Sequence, residues 1–191
     1  DVACRTIDLE ALRGLSPGLR SWGWKLRASV RDDEIVAVGP PEGRQLGLAV
    51  DLGTTKIAGY LVDLEDGRTV ASRGVMNPQI AYGEDLISRL SRAMGSREEA
   101  TRLQQLVVEG LNRMAAELCR ETEGDPEQIV EAVIVGNTAM HHLLLRLAVD
   151  QLAMAPYVPA ISASHDVKAR DLGLRLAPGA YVHFLPNIAG Y

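Results

Sequence analysis

Aromatic residues are scarce in this chain: they make up 4% of its 191 residues, with a single phenylalanine. A core must therefore be filled by Leu, Val, Ile and Ala. Cysteine is scarcer still. Cys4 and Cys119 are the only two; two thiols cannot hold an iron–sulfur cluster, and no Cys/His group has zinc spacing. Both read as buried thiols of a reducing cytosol. Positive charge is not in excess, since 20 Lys and Arg face 25 Asp and Glu for a net charge of -5. With no basic run either, the balance argues against a nucleic-acid partner and against a membrane-surface partner. No stretch is long and apolar enough to cross a bilayer, and the N-terminus lacks the layout of a secretion signal. Repeats and low-complexity tracts are absent. The chain opens on Asp1 and stops at Gly190-Tyr191 without a capping element, so it reads as cut at both ends. What is present, 47% hydrophobic and 24% charged residues, is ordinary globular composition, enough for one medium domain or a domain plus a remnant.

Two units are expected, 1–43 and 46–191. In the first, Leu9, Leu12 and Leu15 have helical spacing until Ser16-Pro17-Gly18 breaks it. Trp24, Leu26, Ala28 and Val30 alternate as in a half-buried strand, and Glu34 to Val38 returns after Arg31-Asp32-Asp33. Gly39-Pro40-Pro41-Glu42-Gly43 continues neither element. In the second unit, Leu46 to Val50 has the apolar run of a strand buried on both faces. A polar turn, Asp51 to Lys56, leads to a strand from Ile57 to Leu64, an Asp66-Gly67 hairpin and a third strand from Thr69 to Val75. Leu86, Ile87, Leu90 and Met94 stripe one helix. Ser96 with Glu99 caps the next, striped by Leu103, Leu106, Val107, Leu111, Met114 and Leu118 and closed by Gly124. Asp125-Pro126-Glu127-Gln128 gives one helical turn. Val130 to Val135 makes a fourth strand ending in Gly136-Asn137-Thr138, and a helix follows through Leu147. The rest is loop-rich up to a strand from Ala180 to Leu185.

The turn at Asp51-Leu52-Gly53-Thr54-Thr55-Lys56 carries the chemistry. Glycine allows close approach of backbone to a phosphate, successive N–H groups make an anion-binding concavity, and the hydroxyls of Thr54 and Thr55 add donors. Asp51 is placed to hold Mg²⁺ through waters, and Lys56 to add a point charge. A plain hairpin turn with a capping Asp is the bland alternative.

Gly47-Leu48-Ala49-Val50-Asp51-Leu52-Gly53-Thr54-Thr55 resembles the first phosphate motif of the superfamily that holds acetate and sugar kinases, heat-shock chaperones and actin. The resemblance implies an α/β, ribonuclease-H-like lobe of an actin-like ATPase over residues 46–191, preceded by the tail of a small α+β middle domain. Val133-Ile134-Val135-Gly136-Asn137-Thr138-Ala139-Met140-His141-His142-Leu143 is similar to the first connecting motif in the form used by reductive activators of corrinoid proteins. Asn77-Pro78-Gln79 with Tyr82-Gly83-Glu84-Asp85-Leu86-Ile87-Ser88-Arg89, and Phe184-Leu185-Pro186-Asn187-Ile188-Ala189-Gly190-Tyr191, match the same group. These are cytoplasmic iron–sulfur ATPases that use ATP to drive an electron onto the Co(II) corrinoid of a methyl-transferring protein. By that resemblance Gly53, Thr54, Thr55 and Lys56 bind the phosphates of ATP, Asp51 organises Mg²⁺ and the attacking water, and Gly136, Asn137 and Thr138 face the γ-phosphate side. A [2Fe-2S] cluster is implied only for an N-terminal domain that these residues do not include. The second phosphate loop and the adenosine motif are also outside them, so the remaining half of the ATPase is an implied partner beside the corrinoid protein. A homodimer is left open.

Several residues carry paired readings. Asn137 is either part of the cleft or an ordinary N-cap. His141 and His142 read as one core and one surface residue, with a metal or corrinoid role as the alternative. Asp85 and Arg89 read as an i,i+4 ion pair, or as partner-docking groups. Asn77 and Gln79 either line the cleft or serve turn chemistry. A small-molecule kinase is the second functional reading, disfavoured because an amide at Asn137 cannot act as general base; a non-catalytic interaction module is the third.

Overall fold

The computed structural model describes residues 4–83 and 85–188. Glu84 and the Ala189-Gly190-Tyr191 end of the last matched segment lie outside the described residues.

The first unit is a small three-stranded sheet under one helix. β1 (Thr6–Ile7) runs parallel to β3 (Glu34–Gly39), which pairs antiparallel with β2 (Arg27–Arg31). α1 (Leu9–Ser21) starts at Asp8, whose carboxylate accepts from the Glu10 amide, and it continues through Pro17 to Ser21. The expected break at Ser16-Pro17-Gly18 does not occur. Proline forfeits one helix hydrogen bond, but the last turn is tied by Ser21 Oγ donating to the Pro17 carbonyl. The Trp22 ring lies where a Gly18 side chain would be. The expected strand phase is also reversed. Trp24 sits in a left-handed turn and is 73% exposed, Ser29 is buried and Val30 is not, with a bulge between them.

The second sheet has six strands in the order β6-β5-β4-β7-β9-β8. β4 (Leu46–Leu52), β5 (Lys56–Asp63) and β6 (Thr69–Met76) form an antiparallel meander. β4 then pairs parallel with β7 (Ile129–Gly136), and β7 with β9 (Tyr181–Phe184). This is the ribonuclease-H-like order expected from sequence. β8 (His165–Lys168) adds an antiparallel edge, and its single apolar residue, Val167, gave no alternation to read.

α2 (Leu86–Gly95) and α3 (Arg97–Glu121) follow the meander, and α4 (Thr138–Leu145) follows β7. Leu103, Val107, Leu111, Met114 and Leu118 of α3 are buried against one sheet face. Each such side chain contributes roughly 1.5–3 kcal/mol on burial. Gly59 of β5 is where α3 comes closest: a Cβ there would sit 2.2 Å from Met114 Sδ. α3 ends with Glu123, not Gly124, in the left-handed region, and the Gly124 amide returns to the Cys119 carbonyl at 2.8 Å. Ser96 Oγ caps α3 as expected, while the Glu99 carboxylate lies toward Arg92. α5 (Asp150–Ala153) and α6 (Ala169–Leu172) are short turns within the segment expected to be loop. α4 stops at Arg146 in a left-handed C-cap, two residues before the expected end. Cys119 is buried, which raises its thiol to about 11, whereas Cys4 is exposed.

A charged seam joins the two sheets. Lys168 Nζ lies 3.0 Å from Glu34 and 3.1 Å from Asp8, and Arg170 reaches Asp8 at 2.9 Å. The Tyr181 hydroxyl donates to Glu34 at 2.8 Å. Arg31 bridges to Glu131 and Asp166 on the larger sheet. Burial alone would raise the Asp8 carboxyl; bonds from Lys168, Arg170 and the Glu10 amide overturn that and hold it below its usual value.

Candidate functional site

β4 lies between β5 and β7, so two connections meet at one end of the sheet. Leu52, the last residue of β4, pairs with Ile57 on one side and Gly136 on the other. The β4–β5 turn (Gly53-Thr54-Thr55) is therefore beside the junction where β7 enters α4. This is the carboxyl end of the parallel pair, where open α/β sheets place their ligands. Both glycines are forced by crowding at this corner. A Cβ on Gly53 would lie 2.4 Å from the Lys56 carbonyl, and one on Gly136 would lie 2.8 Å from the Leu52 carbonyl.

Three consecutive carbonyls of the turn are held inward by buried donors. The Gly53 carbonyl accepts from Asn77 Nδ2 at 2.9 Å, Thr54 from Arg89 Nη1 at 2.7 Å, and Thr55 from the Asn77 amide at 2.9 Å. Among the described residues no group accepts from the amides of Thr54 or Thr55. Successive unpartnered amides in a tight turn are the kind of donors that anion-binding concavities use.

Asn137 joins the second connection to the first. Its Oδ1 accepts from the Met140 amide at 2.9 Å, capping α4, and its Nδ2 donates to Thr54 Oγ1 at 2.9 Å. The backbone donor fixes which end of the amide is oxygen, so the assignment is unambiguous. Thr54 accepts that bond through oxygen and keeps its own hydrogen for another acceptor. Asn137 is thus the N-cap of α4 and is also tied to the first turn.

Asp51 is exposed near the end of β4, between Ala58 and Val135, and among the described residues no group bonds to its carboxylate. Lys56 is exposed as the first residue of β5. Thr138 is buried as the first residue of α4, its carbonyl bonded to His142 Nδ1. Among the described residues no three His, Cys, Asp or Glu side chains converge on a metal-sized site.

Two residues expected elsewhere prove to be supports of this turn. No Asp85–Arg89 ion pair forms: Asp85 caps α2 through the Ser88 amide, and Arg89 is fully buried. Arg89 Nε also donates to the Gly83 carbonyl at 2.8 Å, and Nη1 lies 3.8 Å from Met140 Sδ. Burial lowers the Arg89 pKa, opposed by the charge of Asp85. Asn77 is equally buried, with Oδ1 accepting from the Gln79 amide. Gln79 does not line a cleft; its Nε2 donates to the Leu103 carbonyl deep in the fold. A clue to Arg89 was available in sequence, because it stands three residues after Leu86 and beside Leu90, on the stripe that packs inward. Ile87, assigned to that stripe, is 55% exposed instead.

Both adjacent histidines are buried, so neither is a surface residue. They can be buried together because their rings are held by different segments. His142 Nδ1 donates to the Thr138 carbonyl at 2.7 Å and Nε2 accepts from the Ala160 amide at 2.9 Å. His141 packs edge-on against Phe184 and receives Asn187 at Nδ1; burial pushes it down to about 4.

The strand order and the two adjoining connections define an actin-like α/β lobe. The chain belongs to the RACo middle region family, whose model matches residues 46–191. It is 32% identical over 145 residues to the corrinoid activation enzyme RamQ of Eubacterium limosum, covering 76% of this chain and 24% of that protein. A solved structure of a reductive activator for a corrinoid, iron–sulfur protein superposes with a TM-score of 0.85 at 30% identity, covering 98% of this chain. The chain spans 31% of that structure, so it corresponds to about a third or less of either relative.

Proposed function

We propose that residues 46–191 form the first jaw of an ATP-binding clamp in a protein that uses ATP to drive reductive activation of a corrinoid, Co(II) to Co(I), on a partner methyl-transfer protein. On this reading residues 1–43 close a small middle domain, and the other jaw comes from the remaining half of the ATPase. The observation that carries it is the turn whose three carbonyls are tied inward beside Asn137. The Thr54 and Thr55 amides, with the hydroxyls of the same residues, suit the terminal phosphates of a nucleotide. Lys56 adds a mobile charge at the rim, and Gly136 and Thr138 keep the second connection close against the first.

Asp51 has an exposed carboxylate two residues before that turn. Its chemistry suits a hydrated Mg²⁺, which Asp51 would hold through waters. When bound, such an ion would supply charge neutralisation for the phosphoryl group, and the Asp51 carboxylate would be placed to orient an attacking water. Nucleotide binding can drive an unfavourable electron transfer only if ATP binds two arrangements of the protein differently. A small-molecule kinase is less well supported, because both ends of the Asn137 amide are engaged and neither can accept a proton from a substrate.

ATP-dependent Co(II) to Co(I) conversion by the full-length protein tests the reading. Asp51→Asn should abolish the ATP dependence while electron uptake by the iron–sulfur domain continues. Equal ATP dependence in variant and wild type removes Asp51 from the mechanism.

A further inference from the structure

Arg89 is the largest fully buried side chain of the molecule as described, and it is a cation. Its nearest acidic neighbour in sequence, Asp85, is occupied as the cap of α2. No described carboxylate forms an ion pair with it, and Nη2 is buried without a hydrogen-bond partner. Elsewhere the half-buried cations Arg31 and Lys168 each meet carboxylates, as does the more exposed Arg170. A buried charge without a counter-ion is costly and is normally paired. Here the guanidinium lies directly behind the β4–β5 turn, on the Thr54 carbonyl, where its field adds to that of the Thr54 and Thr55 amides.

We propose that Arg89 is a positioning residue for the phosphate-binding turn, one that sets its shape through Thr54 and supplies from beneath the positive charge that the polyphosphate tail of a nucleotide completes. This assignment rests on the ATP reading above. It differs from a purely structural role because the charge, and not only the hydrogen bond, determines affinity. The effect grows with the charge of the ligand at the turn. It is therefore larger for ATP than for ADP, and absent for AMP, whose single phosphate does not reach the turn.

The test is titration of the full-length protein with Mg-ATP, Mg-ADP and AMP, comparing wild type with Arg89→Gln and Arg89→Lys. Glutamine is neutral and ends where Arg89 Nε does, within reach of the Gly83 carbonyl but short of Thr54, so it removes the charge together with the Thr54 bond and the graded nucleotide series separates the two. This variant should weaken ATP binding about tenfold, ADP less, and AMP not at all, with a shallower salt dependence. Lysine keeps the charge and loses the fork, so ATP binding should stay within about threefold and the preference for ATP over ADP should persist. If Arg89→Gln does not fold, Arg89→Lys decides alone: loss of the ATP preference overturns the proposal. Equal losses for Gln and Lys, or equal losses across the three nucleotides, overturn it as well. A wild type that binds no Mg-ATP removes the nucleotide reading and this role with it. A wild type that binds normally, with variants that bind equally well, removes the role of Arg89 alone.

Discussion

Replacing Asn77 with alanine should damage stability and ligand affinity together, and the structure gives the size of the effect. The side chain is fully buried; its oxygen accepts from the Gln79 amide, and its nitrogen donates to the Gly53 carbonyl and lies 4.0 Å from Met140 Sδ. Truncation orphans both partners. A buried group left without its partner costs about 1–3 kcal/mol. Gln79 is fully buried and pays near the upper end, whereas Gly53 is only half-buried and can recruit water. The expected loss is about 3 kcal/mol in urea denaturation. Asn77→Ser separates the two bonds, since a serine hydroxyl can cap the Gln79 amide but is too short to reach Gly53. It should recover about 1 kcal/mol, the usual value of such a cap. Affinity for Mg-ATP, measured by calorimetry, should fall about tenfold in both variants because the Gly53 carbonyl is no longer held inward. Two results refute the reasoning: a loss below 1 kcal/mol in the alanine variant, or full recovery of nucleotide affinity in the serine variant.

Asn137→Asp should keep the cap of α4, leaving the stability measured in urea within about 0.5 kcal/mol of wild type. It should nonetheless weaken Mg-ATP binding about tenfold in titration, because Thr54 would then donate its hydrogen to the carboxylate. Acidification should destabilise the fold through His141. An unfolded histidine titrates near 6.5, whereas this one is held down to about 4 by burial. From pH 6.5 down to about 4 the unfolded chain takes up a proton that the folded one does not. Stability should therefore decline over that window by up to about 3 kcal/mol and level off below it. His141→Gln should flatten most of this slope in denaturation curves recorded from pH 7 to 4; His142, also lowered by burial, accounts for the remainder.

The central sheet was legible because its strands announce themselves. Leu46 to Val50 has the apolar run of a strand paired on both sides, and Asp66-Gly67 marks the hairpin between β5 and β6. The polar edge strand at His165 and the passage of α1 through Pro17 were not legible, since each depends on what packs against it. The same holds for the turn at Gly53. Its glycine and hydroxyls could be read directly from the sequence, but the groups behind it come from residues 77 and 89. Asn77-Pro78 has good local turn chemistry, and an Asp85–Arg89 pair is the usual explanation at that spacing. Asn77 keeps that turn chemistry, capping the Gln79 amide while its nitrogen reaches Gly53, whereas burial of Arg89 replaced the ion pair. Asn137 keeps its local reading as well, as the N-cap of α4, and its nitrogen reaches Thr54.

The seam of Asp8, Glu34, Lys168, Arg170 and Tyr181 has a mechanical consequence. Twisting the small sheet against the large one would pull Lys168 away from the buried Asp8 carboxylate and from Glu34, whereas the more exposed Arg170 holds less. Asp8 and Glu34 on one side, with Lys168 and Arg170 on the other, thus tie the small unit to the large sheet at more than one point. A displacement of β1 or β3 would pull on β8 and β9 through these contacts, and β9 is paired with β7, which leads into Asn137.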